Sequence, residues 1–168
     1  MSLTMDQLVS DEADVAFEEE LARQPHSVET WWSYIQDVRS RKGVPAAHLH
    51  RLHERALRCL PGSYKLWKSY LDGRVASLRA RRACPGDPAF EIANSAFERA
   101  LVYMHRMPRV WCDYLALLSS QTWLVTRTRR TFDRALQALP ITQHRLVWPA
   151  YAKFAEGLCF EGGDAGGV

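Results

Sequence analysis

Apolar positions along this 168-residue chain recur at intervals of three and four, the spacing that gathers side chains on one face of an α-helix. Trp31 and Tyr34, Trp67 and Tyr70, Trp111 and Tyr114, and Trp148 and Tyr151 stand at i and i+3, so each pair forms one broad apolar stripe on a helix. A second set, Phe97, Ala100 and Leu101, then Phe132, Ala135 and Leu136, occupies i, i+3 and i+4. There the alanine leaves room for a ring from a facing helix. The pattern predicts helices near residues 12–24, 27–41, 45–59, 63–82, 88–105, 109–120, 124–138 and 144–156. Boundary residues agree. Ser27 and Ser63 suit N-caps, Asp87 before Pro88 reads as an N-cap with proline in the first turn, and Gly43 ends one helix before Pro45 opens the next.

The stripes belong to a repeat. The four tryptophans are 36, 44 and 37 residues apart. Three of the pairs are followed by Leu52-His-Glu-Arg-Ala-Leu57, Phe97-Glu-Arg-Ala-Leu101 and Phe132-Asp-Arg-Ala-Leu136, closed by Pro61, Pro108 and Pro140. One ordered composite recurring three times predicts antiparallel helix pairs, each unable to bury both faces alone and completed by its neighbours. The expected fold is an all-α, right-handed α-solenoid whose core holds Trp31, Tyr34, Trp67, Tyr70, Phe97, Ala100, Trp111, Tyr114, Phe132, Ala135, Trp148 and Tyr151. Residues 1–26 read as an acidic segment with one leading helix. Residues 27–156 hold the repeats (27–61, 63–108, 109–140 and a partial 144–156), and 157–168 form a glycine-rich flexible tail. The unfinished fourth repeat is expected to be part of a longer array. Trp67 to Arg99 spans 32 residues where Trp31 to Arg55 spans 24, so repeat two should project a longer helix end and a basic loop around Arg79 to Pro88.

Charge changes this picture more than composition does. The net +3 divides into −7 for residues 1–30 and +10 for the remainder. No apolar run reaches the roughly 18 to 20 residues of a membrane span, and the chain is expected to be soluble and intracellular. Cys59, Cys84, Cys112 and Cys159 are too far apart for a thiol redox motif or half a zinc site, and are expected to be reduced core fillers.

Candidate chemistry is sparse. His48, His50 and His53 cluster, yet no Asp, Glu or Cys supplies a further ligand at the right spacing. Glu54, Glu98 and Asp133 precede the repeated arginines, and that recurrence marks them as repeat-surface or inter-helix contacts instead of catalytic carboxylates. No phosphate-binding glycine loop or nucleophile motif occurs. The expectation is a protein that is not an enzyme, with no cofactor, metal or small-molecule substrate. Trp32 and Trp123 fall off the register and suit exposed contacts. Arg79, Arg81, Arg82, Arg127, Arg129 and Arg130 form a candidate partner-binding edge, open to RNA phosphate, to acidic protein surfaces or to solvent alone.

Tandem Trp-x-x-Tyr and Phe-Glu-Arg-Ala-Leu elements closed by proline resemble the half-a-TPR (HAT) repeat of RNA-processing assemblies. Phe17-Glu-Glu-Glu20, the stretch from Leu60 to Trp67, Met104-His-Arg-Met-Pro-Arg109 and the stretch from Thr128 to His144 resemble the Syf-type pre-mRNA splicing factors, over roughly residues 15–156. That resemblance implies a nuclear, non-catalytic spliceosomal scaffold of the NineTeen-associated complex. Its partners would be other splicing-complex proteins, with RNA reached indirectly and no membrane. The rival readings are an RNA-binding HAT module using the arginine edge and a HAT scaffold of another RNA-processing machine.

Overall fold

The computed structural model describes residues 12–82, 84 and 86–161. Among them the regular structure is entirely helical: α1 (Glu12–Arg23), α2 (Val28–Ser40), α3 (Ala46–Cys59), α4 (Tyr64–Ala80), α5 (Pro88–Met104), α6 (Pro108–Ser119), α7 (Val125–Ala138) and α8 (Trp148–Glu161). Short 3-10 turns cover Thr122–Leu124 and Ile141–Leu146. The helix starts follow local chemistry. The Ser27 hydroxyl accepts from the Thr30 amide at 3.2 Å, and the Asp87 carboxylate accepts from the Ala89 amide at 2.8 Å. Gly43 and Gly86 take φ of +83° and +85°, the left-handed conformation that a residue without Cβ adopts at no steric cost.

As the predicted ranges 63–82 and 88–105 imply, both helices of repeat two are long, α4 and α5 having 17 residues each where α2 has 13 and α6 has 12. One feature differs from the sequence expectation. The last helix begins at Trp148 instead of residue 144, and continues past Gly157 to Glu161 into what reads as tail. Pro149 explains the late start. In a helix begun at 144 its ring would meet the preceding turn, whereas beside Trp148 it falls in the first turn, where no N–H is missed. Gly157 costs only about 1 kcal/mol against alanine, too little alone to stop a helix. Residues 162–168 of the expected tail and residues 1–11 of the acidic segment lie outside the described residues.

The chain divides into two compact units that meet within α4, after Arg74. In the first, α2 packs against α1 and α3 around Leu21, Trp31, Tyr34, Ile35, Leu52, Ala56, Trp67 and Tyr70. In the second, α6 packs against α5, α7 and α8 around Phe97, Ala100, Trp111, Tyr114, Leu118, Phe132 and Ala135. The second core also buries a polar pair. The Asn94 and Gln121 amides exchange hydrogen bonds at 3.2 and 3.3 Å, and Gln121 donates onward to the Leu117 carbonyl at 3.1 Å. Being satisfied, this pair escapes the penalty of an unpaired buried amide and fixes how α5 meets the end of α6.

Candidate interaction site

Each repeated residue type has one recurring task. The indole N–H of Trp31 donates to the Pro25 carbonyl at 2.9 Å, that of Trp67 to Pro61 at 2.7 Å and that of Trp111 to His105 at 2.7 Å. The tryptophan therefore pins the turn that leads into its own helix. The tyrosine three residues on lies against the ring of the preceding helix. Phe17 stacks on Tyr34 (centroids 4.9 Å apart, 13° between planes), Phe97 on Tyr114 (5.0 Å, 9°) and Phe132 on Tyr151 (4.6 Å, 3°).

The acid after that ring receives the tyrosine hydroxyl. Tyr70 donates to Glu54, and Tyr114 donates to Glu98 at 3.0 Å. Tyr151 donates to Asp133 at 3.0 Å, and Tyr34 is hydrogen-bonded to Glu18. The following helix returns an arginine to the same acid. Arg55 closes on Glu18 with two bonds of 2.6 Å, and Arg134 closes on Glu98 with two of 2.9 Å. Each guanidinium also lies 5.6 Å from the ring centre of its repeat's tryptophan, Arg55 over Trp31 and Arg134 over Trp111. Acid, tyrosine, arginine and tryptophan thus form a clasp between successive helix pairs, at Glu18, Tyr34, Arg55 and Trp31 in the first unit and at Glu98, Tyr114, Arg134 and Trp111 in the second.

The electrostatics follow from this geometry. The hydrogen bonds from Arg55 hold the Glu18 carboxyl below its ordinary range against the opposing effect of burial. Burial pushes Glu98 up, and Arg134 with the Tyr114 hydroxyl outweighs it, so Glu98 also ends low. Burial, then the neighbouring carboxylates, raise the Tyr34 and Tyr114 hydroxyls, which remain protonated donors. The clasp is half open to water, with Arg134 48% and Glu98 33% exposed, so its ion pair is screened. A double-mutant cycle between Arg134→Met and Glu98→Gln, read by urea unfolding, should give a coupling of about 1 kcal/mol that shrinks in high salt. Strictly additive losses would show the two to be independent.

Three residues of this arrangement escaped sequence reading. α1 occupies the place of a second helix, with Phe17 and Glu18 standing where Phe97 and Glu98 stand, but Glu19 and Glu20 replace the Arg-Ala that would have flagged it. Tyr34 follows Glu18 by the same 16 residues that separate Tyr114 from Glu98, a signal present in the sequence. His53 stands where the other repeats have phenylalanine, tilted 31° against Tyr70 with ring centres 5.8 Å apart. Its Nδ1–H donates to the Leu49 carbonyl at 2.8 Å, which leaves Nε2 to accept from the Ser69 hydroxyl at 3.0 Å. Arg39 in turn donates to Ser69 at 2.7 Å. Burial lowers the His53 pKa to about 4, so the ring is neutral.

Of the residues expected in the core, eleven are placed inward or against a neighbouring ring, and Trp148 differs. It is 53% exposed, because no further helix among the described residues lies over it. It stacks on Tyr151 instead (5.8 Å, 12°). The expected edge also separates. Arg127 turns inward, donating to Glu91 at 2.9 Å and to the Tyr114 hydroxyl at 3.4 Å. Arg79, Arg81, Arg82, Arg129 and Arg130 are exposed, with Arg81 lying 3.5 Å from Asp87. Off the register, Trp123 is 42% exposed and meets Phe90 edge-on, while Lys65 lies 4.0 Å from the centre of the Trp32 ring. No group of three or more His, Cys, Asp or Glu is placed to hold a metal ion, and no helix is long and apolar enough to cross a membrane, among the described residues.

Helix pairs that repeat one clasp between successive hairpins define the HAT class of helical-repeat proteins. Residues 13–163 match the family described as the pre-mRNA-splicing factor Syf1/CNRKL1 N-terminal HAT repeat, and the chain belongs to that family. Pre-mRNA-splicing factor SYF1 of Homo sapiens is 51% identical over 147 residues, which cover 88% of this chain and 16% of that protein. The syf1 homolog of Drosophila melanogaster is 50% identical over 141 residues (84% of this chain, 15% of that protein). Pre-mRNA-splicing factor cwf3 of Schizosaccharomyces pombe is 43% identical over 145 residues (86% and 18%). The chain therefore spans less than a fifth of the length of these relatives.

Proposed function

We propose that this chain is a non-catalytic protein-interaction scaffold of nuclear pre-mRNA splicing, working within the NineTeen-associated complex by holding other splicing-complex proteins in a fixed arrangement. The observation that carries the reading is how the recurrent chemical groups are used. Glu18, Glu54, Glu98 and Asp133 receive tyrosine hydroxyls, and Arg55 and Arg134 close on acids of the preceding helix pair. Side chains that in another setting would suggest acid–base chemistry here join one repeat to the next, and relatives named as splicing factors share the same stretch of sequence. The exposed arginines at the end of α4 are then the surface offered to acidic partner proteins.

The test replaces Arg79, Arg81 and Arg82 together by alanine. A tagged chain purified from nuclear extract should bring down splicing-complex proteins, and the triple variant should release them while its melting curve stays within about 0.5 kcal/mol of the parent. Single-stranded RNA should bind weakly to both. The rival outcome is tight RNA binding whose affinity falls with salt at about −0.7 per phosphate neutralised, flattened by up to about two units in the triple variant. That result would make the protein an RNA-binding module first.

A further inference from the structure

Between Arg127 and Arg134 on α7 stands Arg130, three residues past the first and four before the second, so the three share one side of the helix. With Glu98 from α5 and Trp123, Leu124 and Val125 at the turn into α7, they line an open cavity of about 520 Å³ inside the second unit. Its basic side is mostly neutralised. Arg127 donates to Glu91 at 2.9 Å, and Arg134 closes on Glu98. Arg130 is exposed and makes no ion pair or hydrogen bond among the described residues, so one positive charge is left over. The other side is apolar. Trp123 meets Phe90 edge-on with ring centres 5.4 Å apart, which holds the indole in place while leaving it half-exposed, and Val125 is exposed next to it.

We propose that this cavity anchors a short extended segment of an acidic partner protein, in which a bulky apolar side chain is followed two residues later by a carboxylate. The inference rests on the reading of the chain as a protein-interaction scaffold, and adds a place of contact apart from the arginines at the end of α4. Spacing and charge both select this occupant. From Val125 to Arg130 the helix rises about 7.5 Å. That is close to the roughly 6.6 Å covered by two residues of an extended chain, whose side chains point the same way. The apolar side chain lies on Trp123, and the carboxylate accepts from the Arg130 guanidinium. One carboxylate cancels the one uncompensated charge, whereas a phosphate dianion would leave a negative charge over beside Glu98. Single-stranded RNA is held by successive rings and a row of cations, and this cavity offers one half-exposed indole and one uncompensated cation.

The probe is the peptide acetyl-Gly-Ser-Phe-Ser-Glu-Ser-Gly-amide, titrated into the isotope-labelled full chain. The readouts are the Trp123 indole N–H and Arg130 Nε–H resonances, assigned from Trp123→Phe and Arg130→Met chains. Both should shift together, with a dissociation constant on the order of 1 mM, adequate for one anchor among several. Replacing the peptide's glutamate by glutamine should weaken binding about two- to five-fold, the contribution of one exposed ion pair. Replacing its phenylalanine by alanine should weaken it about three- to ten-fold. Arg130→Met should lose as much as the glutamine peptide does, with no further loss when the two are combined. Arg130 is exposed and unpaired, so an unchanged melting curve for Arg130→Met separates a lost contact from a lost fold. Absence of shifts at both resonances, or equal affinity for the glutamine peptide or for the Arg130→Met chain, would overturn the anchor. So would a uridine nonamer that binds more tightly than the peptide and is weakened by Arg130→Met, which would assign the cavity to RNA. The chain with Arg79, Arg81 and Arg82 replaced should bind the peptide as the parent does, and weaker binding would overturn the separate place of contact. A failed titration therefore removes this cavity alone, while the scaffold reading stands or falls by capture from nuclear extract.

Discussion

Trp111→Ala is expected to cost roughly 3 to 5 kcal/mol in urea unfolding, a large share of the roughly 5 to 15 kcal/mol that holds a domain together. The ring is 2% exposed, its N–H holds the His105 carbonyl at the turn into α6, and Arg134 lies across its face. Removal therefore opens a cavity, strands a carbonyl and unseats the arginine together. Trp111→Phe keeps most of the volume and should cost less, chiefly the lost hydrogen bond of about 1 kcal/mol plus the smaller ring. Trp148→Ala provides the contrast. The same residue type at the same repeat position is 53% exposed, and its removal should stay within about 1 kcal/mol. Equal losses at 111 and 148 would contradict this difference in burial.

A second large effect is expected from acid. An unfolded chain protonates His53 at its ordinary pKa of 6.5, while the folded chain resists until about 4. Between those values the unfolded state binds more protons, so stability rises with pH; it is fully present above about 6.5 and lost as pH falls towards 4. At about 1.4 kcal/mol per unit the ring contributes up to about 3 kcal/mol across that window. Burial is the main cause. Arg39 from α2, His50 from α3 and Arg74 from α4 act in the same direction, and the bond to the Leu49 carbonyl opposes them. His50 is lowered too, first by burial and then by Arg74, which steepens the same slope. Glu18 and Glu98 work at lower pH, since their depressed values keep their contribution in place until below the ordinary 4.5. His53→Phe, which installs the residue found at this position in α5 and α7, should flatten the dependence between pH 6.5 and 4.5. An unfolding midpoint in the parent that does not move between pH 7 and 5 would refute the buried neutral ring, and so would an unchanged slope in the variant.

The helices and most of the core were legible because the repeat states its pattern several times. Trp-x-x-Tyr and Phe-x-x-Ala-Leu are packing statements, and packing is what a periodic sequence encodes directly. What stayed hidden depends on partners far along the chain. Recurrence marked Glu98 as an inter-helix residue, but that it takes Tyr114 from one side and Arg134 from the other follows only once three helices are side by side. Arg127 reads as one more member of a basic run. Yet it precedes Arg134 by seven residues and so shares the face that meets Tyr114, while Arg129 and Arg130 point elsewhere. His53 gave no hint of its depressed pKa, since the replaced phenylalanine is visible only against the other repeats. Trp148 carries the repeat's own signature in full, and its exposure is set by what lies over it.

The clasps hold one consequence for how the helix pairs respond to their surroundings. The rings that stack on tyrosines are apolar contacts, insensitive to ionic strength, whereas the Arg55–Glu18 and Arg134–Glu98 bridges are half open to water. Salt therefore loosens one tie between successive hairpins and leaves the other untouched. Raising the ionic strength is therefore expected to weaken the ionic half of each junction while its stacked rings keep the helix pairs in register.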